Sequence, residues 1–579
     1  MTQAVLLTIL ILAGGGVLLL LVSRWLRARW LALVALALGL GAMLPFVFLR
    51  SGPLEMDLAS WIPVGGCSVM LAYRFDTLSR AFALLAALPA LLLLLWMGLG
   101  APAEEGQFAP WVLLLLAFFL HLICSADLLL GYGAWEILLL GTYSLLVYRR
   151  AALPTPGIAE WFLGVQHLSG YPLVFALLLI GQPAGTLQVA QLGPGSVTPA
   201  ALLLLLGAAW VRTAQVPFQG WATAAAGAPG PVSTLLLGGW NMLAGPYLWL
   251  RLASRVAEHT PREVALIAGS VSLLVGAVLA LRQQSARRVQ AGDTVSRLGL
   301  VWIALGLDGP LGVAAGLFRL LDFLLSKVAF HIALSPAEQL QGPLRRVIFA
   351  LGVWGTVGLP PSMGFVGRWL LVMGLLQAGR LVYLPVVLLS VPLALAYLWR
   401  GWTLLPASGA LASRVRAAAH RIAIGFAAFI PLAGLAAPWL WTSLLERATM
   451  AILETAAIEL RPYLAALRSW VPAWTLLLLL IGAVVLWWSR AWRWRVTAAD
   501  VAPSPTAGPL QEAIPVLPGE TGWLAWVGRP VLLYRLFTYL AGYVVTVIHN
   551  LVRFLERHTA YFLLVVLVAA TIVFIVMTR

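Results

Sequence analysis

Stretches of about 20 consecutive apolar residues, the length that crosses a bilayer as a helix, recur from one end of this 579-residue chain to the other. About sixteen of them begin, near residues 4, 29, 78, 109, 127, 161, 200, 229, 263, 289, 311, 347, 381, 419, 472 and 560. With 62% hydrophobic and only 10% charged residues, little sequence remains for a water-soluble core. The expected fold class is all-α, a polytopic membrane protein. The first stretch lacks a basic start and a small-residue cleavage site and is followed by Arg24, Arg27 and Arg29, so it reads as a retained helix and not as a signal peptide.

Arginine sets the expected orientation. The clusters Arg24 to Arg29, Arg149 and Arg150, Arg282 to Arg288, Arg345 and Arg346, Arg414 to Arg421 and Arg490 to Arg495 fall on one side of the membrane if the spans are counted as above. By the positive-inside tendency that side is cytoplasmic, the N-terminus lies outside, and the location is the inner (plasma) membrane. The net charge of +16 is then mostly a topology signal with a contribution to anionic lipid binding. No basic stripe with aromatic platforms points to nucleic acid. Cys67 and Cys124 offer no disulfide framework and no iron–sulfur or zinc spacing, and no GxGxxG or P-loop is present. No cofactor, metal or catalytic redox group is expected in this chain.

Polar residues inside the apolar runs carry the functional signal. The chain holds one lysine, Lys327, against 36 arginines, and it lies in the apolar run Leu317 to Leu334. A guanidinium stays protonated, whereas a desolvated ammonium is able to release its proton, so Lys327 reads as a titrating group. Arg319, Asp322, Ser326, Lys327 and His331 fall within about half of the helix circumference. Arg319 and Asp322 are spaced to pair, and His331 stands one turn from Lys327, where it could pass it a proton. A structural charge cluster between packed helices is the alternative. Glu136, in LLLGYGAWEILLLGTYSLLVYRR, needs a partner, a proton or a water file at such depth; it is either a protonated structural glutamate or a site on an ion path.

Two further runs are interrupted. In AAWVRTAQVPFQGW, Arg212 and Gln215 precede Pro217, and a Gly/Pro-rich link follows to Pro229 and Pro231. In GVWGTVGLPPSMGFVGRW, Gly358, Pro360, Pro361 and Gly364 come just before Arg368. Proline strands backbone carbonyls, which a bilayer tolerates only where the backbone faces protein or water. Two broken helices five spans apart are what an inverted-repeat transporter produces, with its ion path at the breaks; two ordinary proline kinks are the alternative.

Taken in order, RFDTLSRAF, AWE at Glu136, VRTAQVPFQGW, APGPVSTLL, RRVQAGDTVSRLG, LLSKVAFHIA and GLPPSMGFVGRW resemble a known family. It comprises the antiporter-like membrane subunits of respiratory complex I, Mrp-type cation/proton antiporters and membrane-bound hydrogenases. The resemblance runs from about residue 70 to 400. The tail after residue 490 resembles a shortened lateral helix of the largest complex I antiporter-like subunit. The resemblance implies that Glu136 is the membrane glutamate, Arg212 the first broken-helix cation, Lys327 the central lysine and Arg368 the terminal cation; Asp322 and His331 join these candidate ion-translocation residues through their spacing on the Lys327 helix. It departs from the family at Arg212, where a lysine is usual, at Leu237 and Phe323, where histidines are usual, and at Ser169, near the place of an aspartate.

The expected organisation is N-terminal transmembrane helices (1–108), two inverted five-helix repeats (109–252 and 263–400), C-terminal transmembrane helices (401–490), a linker (491–528), an amphipathic lateral helix (529–558) and a last span (559–579). The expected function is a proton- or cation/proton-translocating subunit of a complex I-like quinone oxidoreductase or a related redox-driven complex, working beside other membrane subunits in the lipid bilayer. The alternatives are the membrane half of an inorganic-carbon uptake system driven by proton-motive force, and a non-conducting scaffold.

Overall fold

A computed structural model describes residues 2–48, 53–60, 69–148 apart from 100, 102 and 103, 158–334 apart from 229 and 308, 342–405, 424–425, 428–453 and 463. The expected linker, lateral helix and last span, and the spans beginning near 472 and 560, lie outside these residues.

The described residues form an all-α membrane fold, as expected. Helices α1 (Thr2–Val22) and α2 (Ala28–Phe48) lead into a hairpin, β1 (Leu54–Ser60) and β2 (Met70–Phe75), and then α3 (Thr77–Leu99). A single turn, Glu105–Phe108, precedes α4 (Ala109–Cys124), α5 (Leu128–Val147), α6 (Ile158–His167) and α7 (Gly170–Ala184). Next come α8 (Pro199–Arg212), α9 (Gly220–Ala225), α10 (Gly230–Gly238), α11 (Trp240–Leu252), α12 (Thr260–Arg282) and α13 (Ala286–Gly306). The central α14 (Pro310–Ala333) is followed by α15 (Gly342–Val357), α16 (Met363–Gln377) and α17 (Leu384–Thr403). Nine helices among the described residues are long and apolar enough to cross a membrane. The charged α14 and the broken segments add to them in the interior, where polar residues are tolerated.

Helix starts follow their capping residues. The Asp127 side chain accepts from the Leu129 and Leu130 amides, Thr198 caps α8, Ser285 caps α13 and Ser362 caps α16, each satisfying donors that the helix leaves free. Helices α12 and α13 pack backbone to backbone. A Cβ on Gly276 would lie 2.5 Å from the Ser296 nitrogen, and one on Gly292 2.6 Å from the Ala280 nitrogen, which is the small-residue contact expected between helices in lipid.

The hairpin was not expected from the sequence. Its strands are antiparallel, Leu54 facing Phe75 and Ser60 facing Met70, with an irregularity between Asp57 and Ala59. It ends on Asp76, just ahead of α3. Asp76 accepts from the Ser79 amide at 2.9 Å, from Arg74 Nε at 3.0 Å and from Arg251 Nη2 at 3.0 Å. Burial alone would raise this carboxyl, but the guanidiniums of Arg251 and Arg74 and the Ser79 amide hold it well below the usual carboxylate range. The RFDTLSRAF motif is thus a capped, ion-paired start of a span.

Both expected interruptions are present, and at an offset of 144 residues Trp210, Pro217 and Gly220 correspond to Trp354, Pro361 and Gly364, with Ala214 at the place of Gly358. Trp210 Nε1 donates to the Val216 carbonyl at 2.9 Å, and Trp354 Nε1 to the Pro360 carbonyl at 3.1 Å. Ala214 and Gly358 both take positive φ, 55° and 74°. Each tryptophan satisfies a carbonyl that the broken helix cannot. A third interruption falls where the sequence reads as one span. Helices α10 and α11 part at Gly238 and Gly239, where a Cβ on Gly239 would lie 2.0 Å from the Leu235 carbonyl oxygen.

Candidate functional site

Buried charge gathers in two places. The first joins α5, α6 and α8. Glu136 Oε2 lies 2.9 Å from His167 Nδ1, the last residue of α6. Gly170 lets α7 approach the carboxylate, since a Cβ there would meet Glu136 Oε1 at 2.4 Å. Arg212 is fully buried; its guanidinium lies 4.3 Å over the Trp135 indole and donates to the Trp135 carbonyl. Among the described residues, its Nε and Nη1 have no hydrogen-bond partner. The glutamate's hydrogen-bond partner is His167, which the sequence reading did not single out. Ser169 accepts from Trp135 Nε1 at 3.1 Å and so steadies the indole under Arg212. Leu237 is buried.

The second cluster joins α13, α14, the break between α15 and α16, and α17. Lys327 Nζ is 2.7 Å from Asp293 Oδ2, 2.7 Å from the Gln290 carbonyl and 3.2 Å from Gln290 Oε1. The other oxygen of Asp293 accepts from the Tyr397 hydroxyl at 2.9 Å. Phe323 puts its ring 5.4 Å from Lys327 Nζ and 5.1 Å from the Arg297 guanidinium. Gly238 lies against the lysine stem, for a Cβ there would be 2.6 Å from Lys327 Cβ. The Gly238–Gly239 interruption therefore gives Lys327 its room.

Asp322 accepts from Arg297 Nη2 at 2.7 Å and stands 3.7 Å from Arg319 Nη1, the pair that the spacing suggested. A Cβ on Gly364 would meet its carboxylate at 3.0 Å, so Asp322 faces the first turn of α16. Arg368 donates to the Val357 carbonyl, the last residue of α15. The carboxylate thus stands at a helix N-terminus and the guanidinium at a helix C-terminus, each against the complementary dipole end. Among the described residues, Lys327, Arg297, Arg319 and Arg368 share the cluster with two carboxylates, Asp293 and Asp322, and all six are buried. When all are ionised the cluster holds two surplus positive charges, and loss of the Lys327 proton halves that surplus. Asp293, Arg297 and Tyr397 are members that the sequence reading missed.

His331 turns away from Lys327. Its Nδ1 is 2.8 Å from Thr234 Oγ1 and its Nε2 3.2 Å from Glu105 Oε2. Among the described residues no group of three or more His, Cys, Asp or Glu side chains is arranged to hold a metal ion.

Residues 125–393, which contain the charged residues of both clusters and end just before Tyr397, match the family model described as NADH:quinone oxidoreductase/Mrp antiporter, transmembrane. This segment belongs to that family. The antiporter-like segment has relatives along a longer stretch. NADH-quinone oxidoreductase subunit L of Mycobacterium tuberculosis is 30% identical over 408 residues, covering 65% of this chain and 64% of that protein. The Escherichia coli subunit L is 28% identical over 331 residues, 53% of each chain. A probable K(+)/H(+) antiporter component of Rhizobium meliloti is 28% identical over 304 residues, 50% of this chain and 30% of that one. The chain thus spans just under two thirds of the mycobacterial relative. In fold, it is similar to a chain of the Mrp complex from Dietzia sp. (TM-score 0.67, 22% identity, 78% of this chain and 98% of that one). It is likewise similar to a chain of respiratory complex I from Thermus thermophilus (TM-score 0.65, 20% identity, 78% and 99%). The antiporter-like segment is therefore part of a multi-pass membrane protein whose fold neighbours come from multi-subunit membrane complexes.

Proposed function

We propose that the chain is an ion-translocating subunit of a larger plasma-membrane complex, moving protons, or protons against a monovalent cation, with its N-terminus outside. The observation that carries this reading is the buried Lys327–Asp293 pair, 2.7 Å apart, beside a broken helix whose ends are matched by Asp322 and Arg368. A buried ion pair contributes little to stability over an apolar packing of the same volume, whereas an amine and a carboxylate that exchange one proton are what a translocation step needs. The Glu136–His167 pair supplies a second site with two titratable partners, and Arg212 holds its fixed charge beside it without consuming the carboxylate. The names of the relatives, quinone oxidoreductase and cation/proton antiporter subunits, support the same class. Redox chemistry, where it drives the step, belongs to partner subunits.

Lys327→Arg tests the reading, because it keeps charge and approximate reach while removing the ability to deprotonate. In the assembled complex, reconstituted into vesicles with a pH-sensitive dye, this variant and Glu136→Gln are expected to lose about tenfold or more of the proton flux. Full flux in an assembled Lys327→Arg complex would exclude a titrating role for the lysine.

A further inference from the structure

His331 lies in the last turn of α14, and Glu105, 226 residues earlier in the chain, reaches it from the turn ahead of α4. Arg287, in the first turn of α13, donates to the Ala228 carbonyl at 3.4 Å. The three side chains close around Gly230. A Cβ there would lie 3.3 Å from His331 Cε1, 3.5 Å from Glu105 Oε1 and 3.6 Å from Arg287 Nη2. Between this group and Lys327 is a cavity of about 30 Å3, also lined by Gln290, Ser233 and Thr234. It has room for about two waters, and its polar lining offers them partners.

We propose that this cavity is the port through which the Lys327–Asp293 pair exchanges protons with the face carrying the 104–108 and 283–285 turns, with Glu105 as its outer proton-binding group and His331 as its relay. This rests on the ion-translocation reading and narrows it: the port passes protons and excludes alkali cations. The hydrogen bonds give the route. Thr234 donates its hydroxyl to the Gly230 carbonyl at 2.9 Å, so its oxygen accepts from His331 Nδ1–H, and Nε2 is left facing Glu105. A proton leaving the Glu105 carboxyl binds Nε2 and makes an imidazolium. The Nδ1 proton then leaves its hydrogen bond to Thr234 for a cavity water and passes to Lys327 Nζ once that nitrogen is in its deprotonated amine form, one proton in and one out. A ring flip restores the first tautomer, and the Glu105 carboxylate takes the next proton. Among the described residues, the ionisable groups beside the imidazole include Glu105 ahead of α4, Arg287 on α13 and Lys327 one turn back on α14. Arg287 and Lys327 flank the space with positive charge. A dehydrated alkali cation needs a shell of oxygen ligands, which a space of this size between two cationic heads does not provide. A proton needs only a connected donor–acceptor chain.

The test uses the full chain in its complex, in oriented proteoliposomes. Glu105→Gln and His331→Gln are expected to assemble and to lower proton flux about tenfold or more, with Glu105→Asp retaining more than Glu105→Gln. Wild-type flux is expected to be unchanged when Na+ and K+ are replaced by choline. A separate readout needs no transport: Ser233→Cys, in a Cys67→Ser, Cys124→Ser background, is expected to react with 2-aminoethyl methanethiosulfonate added on the port face and not on the opposite face, as read by intact mass. Full flux in assembled Glu105→Gln, equal losses in Glu105→Asp and Glu105→Gln, a requirement for Na+ or K+, or a Ser233→Cys variant that does not react overturns the proposal. Labelling together with no ion flux in the unmodified complex overturns the transport reading instead.

Discussion

At the residue scale, the most consequential contact is one that no single helix encodes. Lys327 was legible because it is the only lysine in the chain, but its partner Asp293 lies on α13 and its brace Tyr397 on α17. Side-chain spacing reports which residues share a face of one helix; it does not report which faces meet. A signal was nonetheless present, because Asp293 and Arg297 stand one turn apart in an otherwise small and apolar stretch and are buried together. Glu105 and His167 carried no such pattern, one sitting in a short turn and the other at a helix end. The Lys327–Asp293 contact makes a measurable statement. Asp293→Asn leaves an ammonium facing no carboxylate of its own and is expected to destabilise the protein by about 3–5 kcal/mol. The double variant with Lys327→Met is expected to recover about 1–3 kcal/mol of that loss. Thermal unfolding of the purified protein in detergent measures both, and strictly additive losses would show that the two side chains are not coupled.

At the element scale, the broken helices were legible because proline and glycine announce them, while two other features were masked by the apolar background. The hairpin strands LEMDLAS and MLAYRF alternate weakly, and a window tuned to spans averages the alternation away. The α10–α11 interruption is a Gly–Gly step with no proline to mark it. The breaks place a specific demand on Gly358, which has φ 74° and where a Cβ would meet Arg368 Nη1 at 2.9 Å and the Gly364 carbonyl at 3.0 Å. Gly358→Ala is expected to cost about 1–2 kcal/mol from backbone conformation alone, with the displaced guanidinium adding to it. The equivalent position of the first break already carries Ala214 at φ 55°, so Ala214→Gly is expected to be neutral or stabilising by a few tenths of a kcal/mol. Unfolding curves of the two variants should move in opposite directions or differ clearly in size; equal shifts would mean that the two breaks are not equivalent.

At the scale of the whole molecule, the two charge clusters lie within a segment of known family, and the chain continues for nearly 190 residues beyond its end at residue 393. In that continuation, Leu533, Phe537, Leu540, Val544, Ile548, Leu551 and Leu555 recur at intervals of three or four, the pattern of a helix with one apolar stripe. Arg529, Arg535, Arg553 and Arg557 accompany the stripe, which suits a helix lying along an anionic membrane face. Such a helix either rests on lipid alone or clasps a neighbouring subunit, and the two arrangements respond differently to its removal. A lipid-bound helix contributes nothing to subunit contacts, so truncation after about residue 500 would leave co-purification of partners intact. A clasping helix adds its contacts to those of the antiporter-like segment, and linked contacts raise effective concentration well beyond the sum of their separate affinities. Truncation is therefore expected to leave membrane insertion near the full-length level while lowering the recovery of partner subunits about tenfold or more. The comparison is made by affinity purification in mild detergent from equal amounts of membrane-inserted chain, and unchanged partner recovery would assign the 529–558 stretch to the lipid surface alone.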